Sequence, residues 1–85
     1  MNQTIEILTE KIKNEIIQQP KRELQFDEPL ISSGLIDSFN LVDLALMVEE
    51  IFGVHIDDYE LNSDSFDTIE ELAMFIIEKQ ESGIH

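Results

Sequence analysis

The stretch LISSGLIDSFNLVDLALMVEEIFGVHI, residues 30–56, decides how this chain folds. Its centre reads as an amphipathic helix with distinctive chemistry at both ends. Asp37 is a good N-cap, able to accept from a first-turn N–H that the helix leaves unpaired. Gly53 stands where a left-handed residue stops a helix. The pattern predicts a helix over 38–52. At about 100° per residue, Leu41, Leu44, Ala45, Val48, Ile51 and Phe52 fall on one arc and form a candidate core face. The opposite arc holds Phe39, Val42, Asp43, Leu46, Glu49 and Glu50, with Ser38 at its N-terminal margin. A face that met only water would be polar throughout. Three apolar side chains among three carboxylates suit a transient interface, with an apolar centre for affinity and an anionic rim for steering. The alternative is a helix covered on more than one side by the connection that precedes it.

Upstream, Ile5, Leu8, Ile12 and Ile16, with Ile17 beside them, repeat at helical spacing, and Pro20 closes the run. A helix is predicted over about 3–19. Pro29, Ser32, Ser33 and Gly34 mark the chain from Pro20 to Asp37 as a long connection. Such loops are usually functional or packed by their own side chains, here Leu24, Phe26, Leu30, Ile31, Leu35 and Ile36. Downstream, residues 57–61 suggest one short helical turn. Thr68 followed by Glu71 fits a capping box opening a helix over about 68–80, with Ile69, Leu72, Ala73 and Ile76 at helical spacing. The tail Glu81 to His85 is expected to fray. No segment alternates as a strand would, and no composition shift divides the chain. The expected fold is all-α: a small bundle of three principal helices plus one short helix, with a long loop between the first two, in a single domain over 1–85.

Composition narrows the function. The 85 residues leave room for one small domain and no separate catalytic one. The chain has no cysteine, so any thiol chemistry must come from a cofactor. Nineteen Asp and Glu face five Lys and Arg, for a net charge of −14. The cations are Lys11, Lys13, Lys21, Arg22 and Lys79, so the 56 residues from Glu23 to Glu78 hold 15 carboxylates and no Lys or Arg. Such a surface repels nucleic acid and anionic lipid and steers encounter with basic patches on proteins. The plainer reading is an acidic surface that serves solubility. With no apolar run of membrane-spanning length and no secretory signal, the expectation is a soluble, cytoplasmic protein. The two histidines, His55 and His85, and the absence of Gly-x-Ser-x-Gly give no sensible triad. The acidic run Asp57 to Asp64 fails as a calcium loop, because counting from Asp58 puts Ser63 where glycine is needed and Ile69 where a bidentate glutamate is needed. No metal site is expected.

The 30–56 segment resembles the signature region of phosphopantetheine-binding carrier proteins, the acyl and peptidyl carrier family. Their second helix opens on Asp-Ser-Leu or Asp-Ser-Phe, runs through apolar and acidic residues to Glu-Glu, and is followed by Phe-Gly and a short acidic turn. The similarity continues through TIEELAMFI, residues 68–76. It implies that Ser38 is the attachment site of phosphopantetheine, transferred from coenzyme A by a phosphopantetheinyl transferase, with Asp37 beside it. Asp43, Leu46, Glu49 and Glu50 would contact partners, alongside Phe39 and Val42 of the same face. The resemblance implies a non-catalytic, monomeric acyl or aminoacyl carrier of fatty-acid, polyketide or nonribosomal-peptide type. It would present thioesters to a loading enzyme and to downstream biosynthetic enzymes with basic docking patches. Asn40, Leu41, Ile51 and Asp57 depart from the fatty-acid form, and Gly-Leu-Ile-Asp-Ser is closer to stand-alone carriers of amino acids or specialised acyl groups. The alternative function is an acidic helical adaptor that binds protein without a prosthetic group.

Overall fold

The computed structural model describes residues 2–82, and within them the chain is all-helical. Helix α1 spans Asn2–Lys11 and runs directly into a π-helical turn, Ile12–Ile16. Helix α2 spans Ser38–Phe52, a 3₁₀ turn covers Asp58–Glu60, and helix α3 spans Ile69–Ser82. α1 packs against α3, and the π turn packs against α2. The three principal helices form a small bundle, with residues 17–37 as the long connection between the first two.

The first helix departs from the expected 3–19. Leu8, Ile12 and Ile16 are all buried, and each is four residues from the next. In an α-helix that spacing overshoots a full turn by about 40°. Widening the last turn to i→i+5 bonds, such as Ile17 N–H to Ile12 C=O at 2.9 Å, undoes the drift and keeps the three side chains in one line. Pro20 disfavours helix at the residue before it. Gln18 turns left-handed at φ 53°, and the Gln19 N–H reaches back to Lys13 C=O at 2.8 Å to close the end.

α2 buries Leu41, Leu44, Met47 and Val48. Two positions differ from the expected core arc: Ile51 is 39 % exposed, whereas Met47 is 7 % exposed. The two lie four residues apart, about 40° on the wheel, at the boundary of the face. Met47 and Ile51 both line a groove beside Ile16 of the π turn, and of the two Met47 is the more deeply covered. The connection contributes Leu24, Leu30 and Ile36 to the core, with Ile31 and Leu35 packed partly against it. Phe26, expected to pack as well, is 47 % exposed. Its carbonyl is nevertheless used, accepting from Glu70 N–H of α3 at 3.0 Å.

The short turn expected over 57–61 is the 3₁₀ segment Asp58–Glu60. Glu60 fixes it from two sides. Its carboxylate accepts from Asp57 N–H at 3.0 Å and pairs with Lys79 of α3 at 3.0 Å. Lys79 also lies 5.2 Å from the Phe75 ring centroid, within cation–π range. α3 begins at Ile69, with Thr68 Oγ1 accepting from Glu71 N–H at 3.0 Å. The Glu71 carboxylate does not return to Thr68 as a capping box would; it accepts from Asp67 N–H at 2.8 Å. α3 continues to Ser82, past the expected residue 80, and Gln80 donates to Phe52 C=O at 3.3 Å. The expected fraying tail falls mostly on residues 83–85, which lie outside the described residues, as does His85. Glu81 and Ser82 are helical.

Candidate functional site

The start of α2 is built by the residue before it. Asp37 is extended, at φ −90° and ψ −177°, and its Oδ1 accepts from Asn40 N–H at 2.8 Å. Its carbonyl accepts from Leu41 N–H at 2.9 Å, which begins the helical ladder. An aspartate here satisfies one orphan N–H and complements the positive end of the helix dipole. The other end is closed by Gly53, left-handed at φ 69°, whose N–H donates to Glu49 C=O at 2.9 Å. α2 is thus held at both termini by local chemistry.

Ser38 is the first residue of this helix, and it is exposed. Among the described residues, no acceptor meets the N–H of Ser38 or of Phe39. Unpaired N–H groups in a first helical turn favour an anion. A phosphate ester on the Ser38 oxygen therefore fits the donors present, and the exposed position leaves it open to a large enzyme.

From Ser38 a stripe runs along the outer side of α2. Phe39 is 83 % exposed, Val42 52 % and Leu46 59 %. Asp43, Glu49 and Glu50 are exposed beside them. The stripe follows the i, i+3, i+4 rule, so these side chains share one surface. α2 is not covered on a second side by the connection. The two apolar sets of the helix are separated, one in the core and one facing out.

Sequence reasoning did not assign His55 a structural partner. Its Nδ1 lies 3.4 Å from Glu49 Oε1 and its Nε2 lies 3.1 Å from Asp57 Oδ1. The hydrogen bond to Glu49 raises the imidazole above its ordinary value; desolvation opposes it, and the charges of Asp57 and Glu49 add to the rise. Because the folded chain binds this proton more tightly, the contribution is complete below the ordinary histidine value of about 6.5 and is lost as pH rises through the raised folded value. NMR titration of the His55 ring should give a midpoint above 6.5, returning toward it in Glu49→Gln. A midpoint at the ordinary value in the unaltered chain would contradict the contact geometry.

Among the described residues, no helix is long and apolar enough to cross a membrane. A family model described as "phosphopantetheine attachment site" matches residues 7–76. No curated protein and no solved structure matches the chain.

Proposed function

Because the chain belongs to the phosphopantetheine attachment site family, we propose that Ser38 is the residue that takes the prosthetic arm and that the outer stripe of α2 is the surface its enzymes read. The domain of this family is the site of covalent phosphopantetheine attachment, and it works as a carrier alongside a phosphopantetheinyl transferase and biosynthetic enzymes. When bound, the arm supplies a terminal thiol, on which cargo is held as a thioester.

The observation that carries the assignment is an exposed serine at the first position of an N-capped helix, with unpaired N–H groups beside it. A serine hydroxyl is a weak nucleophile unless a base takes its proton. No base on this chain is hydrogen-bonded to the Ser38 hydroxyl among the described residues, so the transferase supplies one. The new bond joins Ser38 Oγ to the pantetheine-side phosphorus of coenzyme A as the pyrophosphate P–O bond breaks, and the nucleotide leaves with the bridging oxygen. Asp37 serves by capping the helix on which that oxygen is carried. Phe39, Val42 and Leu46 supply the apolar contacts of docking, and Asp43, Glu49 and Glu50 orient a basic partner before contact. The chain presents cargo without turning it over. Acyl or aminoacyl cargo of the specialised kind fits the Gly-Leu-Ile-Asp-Ser sequence, and the chain acts as a cytoplasmic monomer within one domain.

Intact mass of the purified protein, before and after incubation with coenzyme A, Mg²⁺ and a broad-specificity transferase, tests this. The expected result is a gain of one phosphopantetheinyl group, absent in Ser38→Ala. A folded, initially unmodified chain that gains nothing from several transferases would favour the adaptor reading.

A further inference from the structure

The connection ahead of Ser38 is held by a residue far from it in sequence. Asp67, just before α3, accepts at Oδ1 from Ile31 N–H at 2.7 Å and from Ser32 N–H at 2.9 Å. Its Oδ2 accepts from Ser32 Oγ–H at 2.5 Å, and its backbone carbonyl accepts from Leu30 N–H at 2.6 Å. Glu71 orients this residue from behind by accepting its N–H. Four donors of one short segment thus converge on a single aspartate. The segment then closes on itself: Gly34 N–H donates to Ile31 C=O at 3.0 Å, and Ile36 N–H donates to Leu30 C=O at 2.9 Å. Leu30 and Ile36 are both buried, and the next two residues are the cap Asp37 and Ser38.

We infer that Asp67 is a positioning residue for the Ser38 site: its carboxylate latches Ile31 and Ser32 to the start of α3, beside the main-chain bond its carbonyl takes from Leu30, and thereby fixes the backbone from which Ser38 is presented to modifying and unloading enzymes. This rests on the assignment of Ser38 made above. Three features single out a latch over an ordinary surface carboxylate. It reaches far along the chain, 36 residues back to Ile31 and 35 back to Ser32. It reaches backbone donors in an irregular segment that has no ladder of its own, and among the described residues no other acceptor meets the N–H of Ile31 or of Ser32. The carboxylate's link to Ser38 is continuous, from Ile31 to its neighbour Leu30, through the Ile36 N–H to Leu30 C=O hydrogen bond, and on by two peptide units. Burial alone would push the Asp67 carboxyl up, but the hydroxyl and N–H of Ser32 and the N–H groups of Ile31 and Leu30 outweigh it and hold the carboxyl below its usual range. The latch is therefore charged at neutral pH.

Asp67→Ala removes every side-chain acceptor, whereas Asp67→Asn keeps an oxygen for the two N–H groups and offers an N–H to the Ser32 oxygen. Ile76→Val, in the buried face of α3, serves as a control for loss of stability alone. The measurements are transferase kinetics with coenzyme A and the amide NMR signals of Ile36 to Phe39. Asp67→Ala should lower kcat/KM for modification by about tenfold, as small displacement of a reacting group does, and should shift those amides. Asp67→Asn should stay within about threefold of the unaltered chain, and Ile76→Val should move neither readout. Asp67→Ala with kinetics like those of Ile76→Val would overturn the proposal, whether or not the amides shift. Failure of the unaltered chain to be modified at all would overturn the Ser38 assignment and this proposal with it, and is seen without any variant.

Discussion

Replacing Asp43, Glu49 and Glu50 together by lysine is expected to slow modification by a phosphopantetheinyl transferase by on the order of 10- to 100-fold at low salt, with helix content unchanged. All three side chains are exposed on α2, whereas the helix meets the core through Leu41, Leu44, Met47 and Val48. The substitution therefore alters the field around Ser38 without opening the core. Three reversals change the local charge by six units on a surface that would meet a basic partner. Long-range attraction acts on the encounter rate, so the deficit should shrink as salt approaches and exceeds physiological strength. The contact of Glu49 with His55 is lost as well, but an exposed pair of this kind contributes little to stability. A triple variant modified at the unaltered rate in low salt would remove the recognition role assigned to this face.

Phe66→Ala is expected to destabilise the fold by about 3–5 kcal/mol. Phe66 is 1 % exposed, in the irregular segment between the 3₁₀ turn and α3, and its ring lies 5.8 Å from that of Phe75 at 57°. Truncation loses the transfer free energy of the ring, leaves a cavity and removes a tilted aromatic pair. A domain of this size has roughly 5–15 kcal/mol in total, with small chains at the low end. The variant should therefore be close to its unfolding midpoint near room temperature. Urea denaturation measures this, with Met74→Ala as the comparison, since Met74 is 48 % exposed and should change stability by about 0.5 kcal/mol or less. A loss below about 1 kcal/mol for Phe66→Ala would show that the segment before α3 is not part of the cooperative core.

These two sites also mark where sequence was informative and where it was not. α2 was legible because each of its ends carries its own signal: an aspartate that accepts from the first turn and a glycine that can turn left-handed. The exposed stripe was legible as well, since periodicity separates two apolar sets on one helix. Phe66 left no such trace, because irregular chain has no period from which burial can be read. The π turn was equally silent. The choice between i→i+4 and i→i+5 bonds at Ile12–Ile16 depends on lining up three isoleucine and leucine side chains against α2 and α3, not on which residues occupy the turn. Asp67 reads in sequence as one more carboxylate before a helix. Its role comes from backbone donors about 35 residues away, and side-chain to backbone bonds impose no pattern on the residues that donate.

Ser38, and no neighbouring serine, is the residue proposed to take the arm. Ser32 and Ser33 lie only a few residues upstream and are also exposed. No Lys or Arg occurs between Glu23 and Glu78, so trypsin leaves all three on one long peptide. A protease that cuts before aspartate separates them, releasing residues 27–36 with Ser32 and Ser33, and residues 37–42 with Ser38 alone. Tandem mass spectrometry of the transferase-treated protein, digested in this way, should find the phosphopantetheinyl group on the 37–42 peptide and none on 27–36. The group on the 27–36 peptide, or on neither, would contradict the assignment.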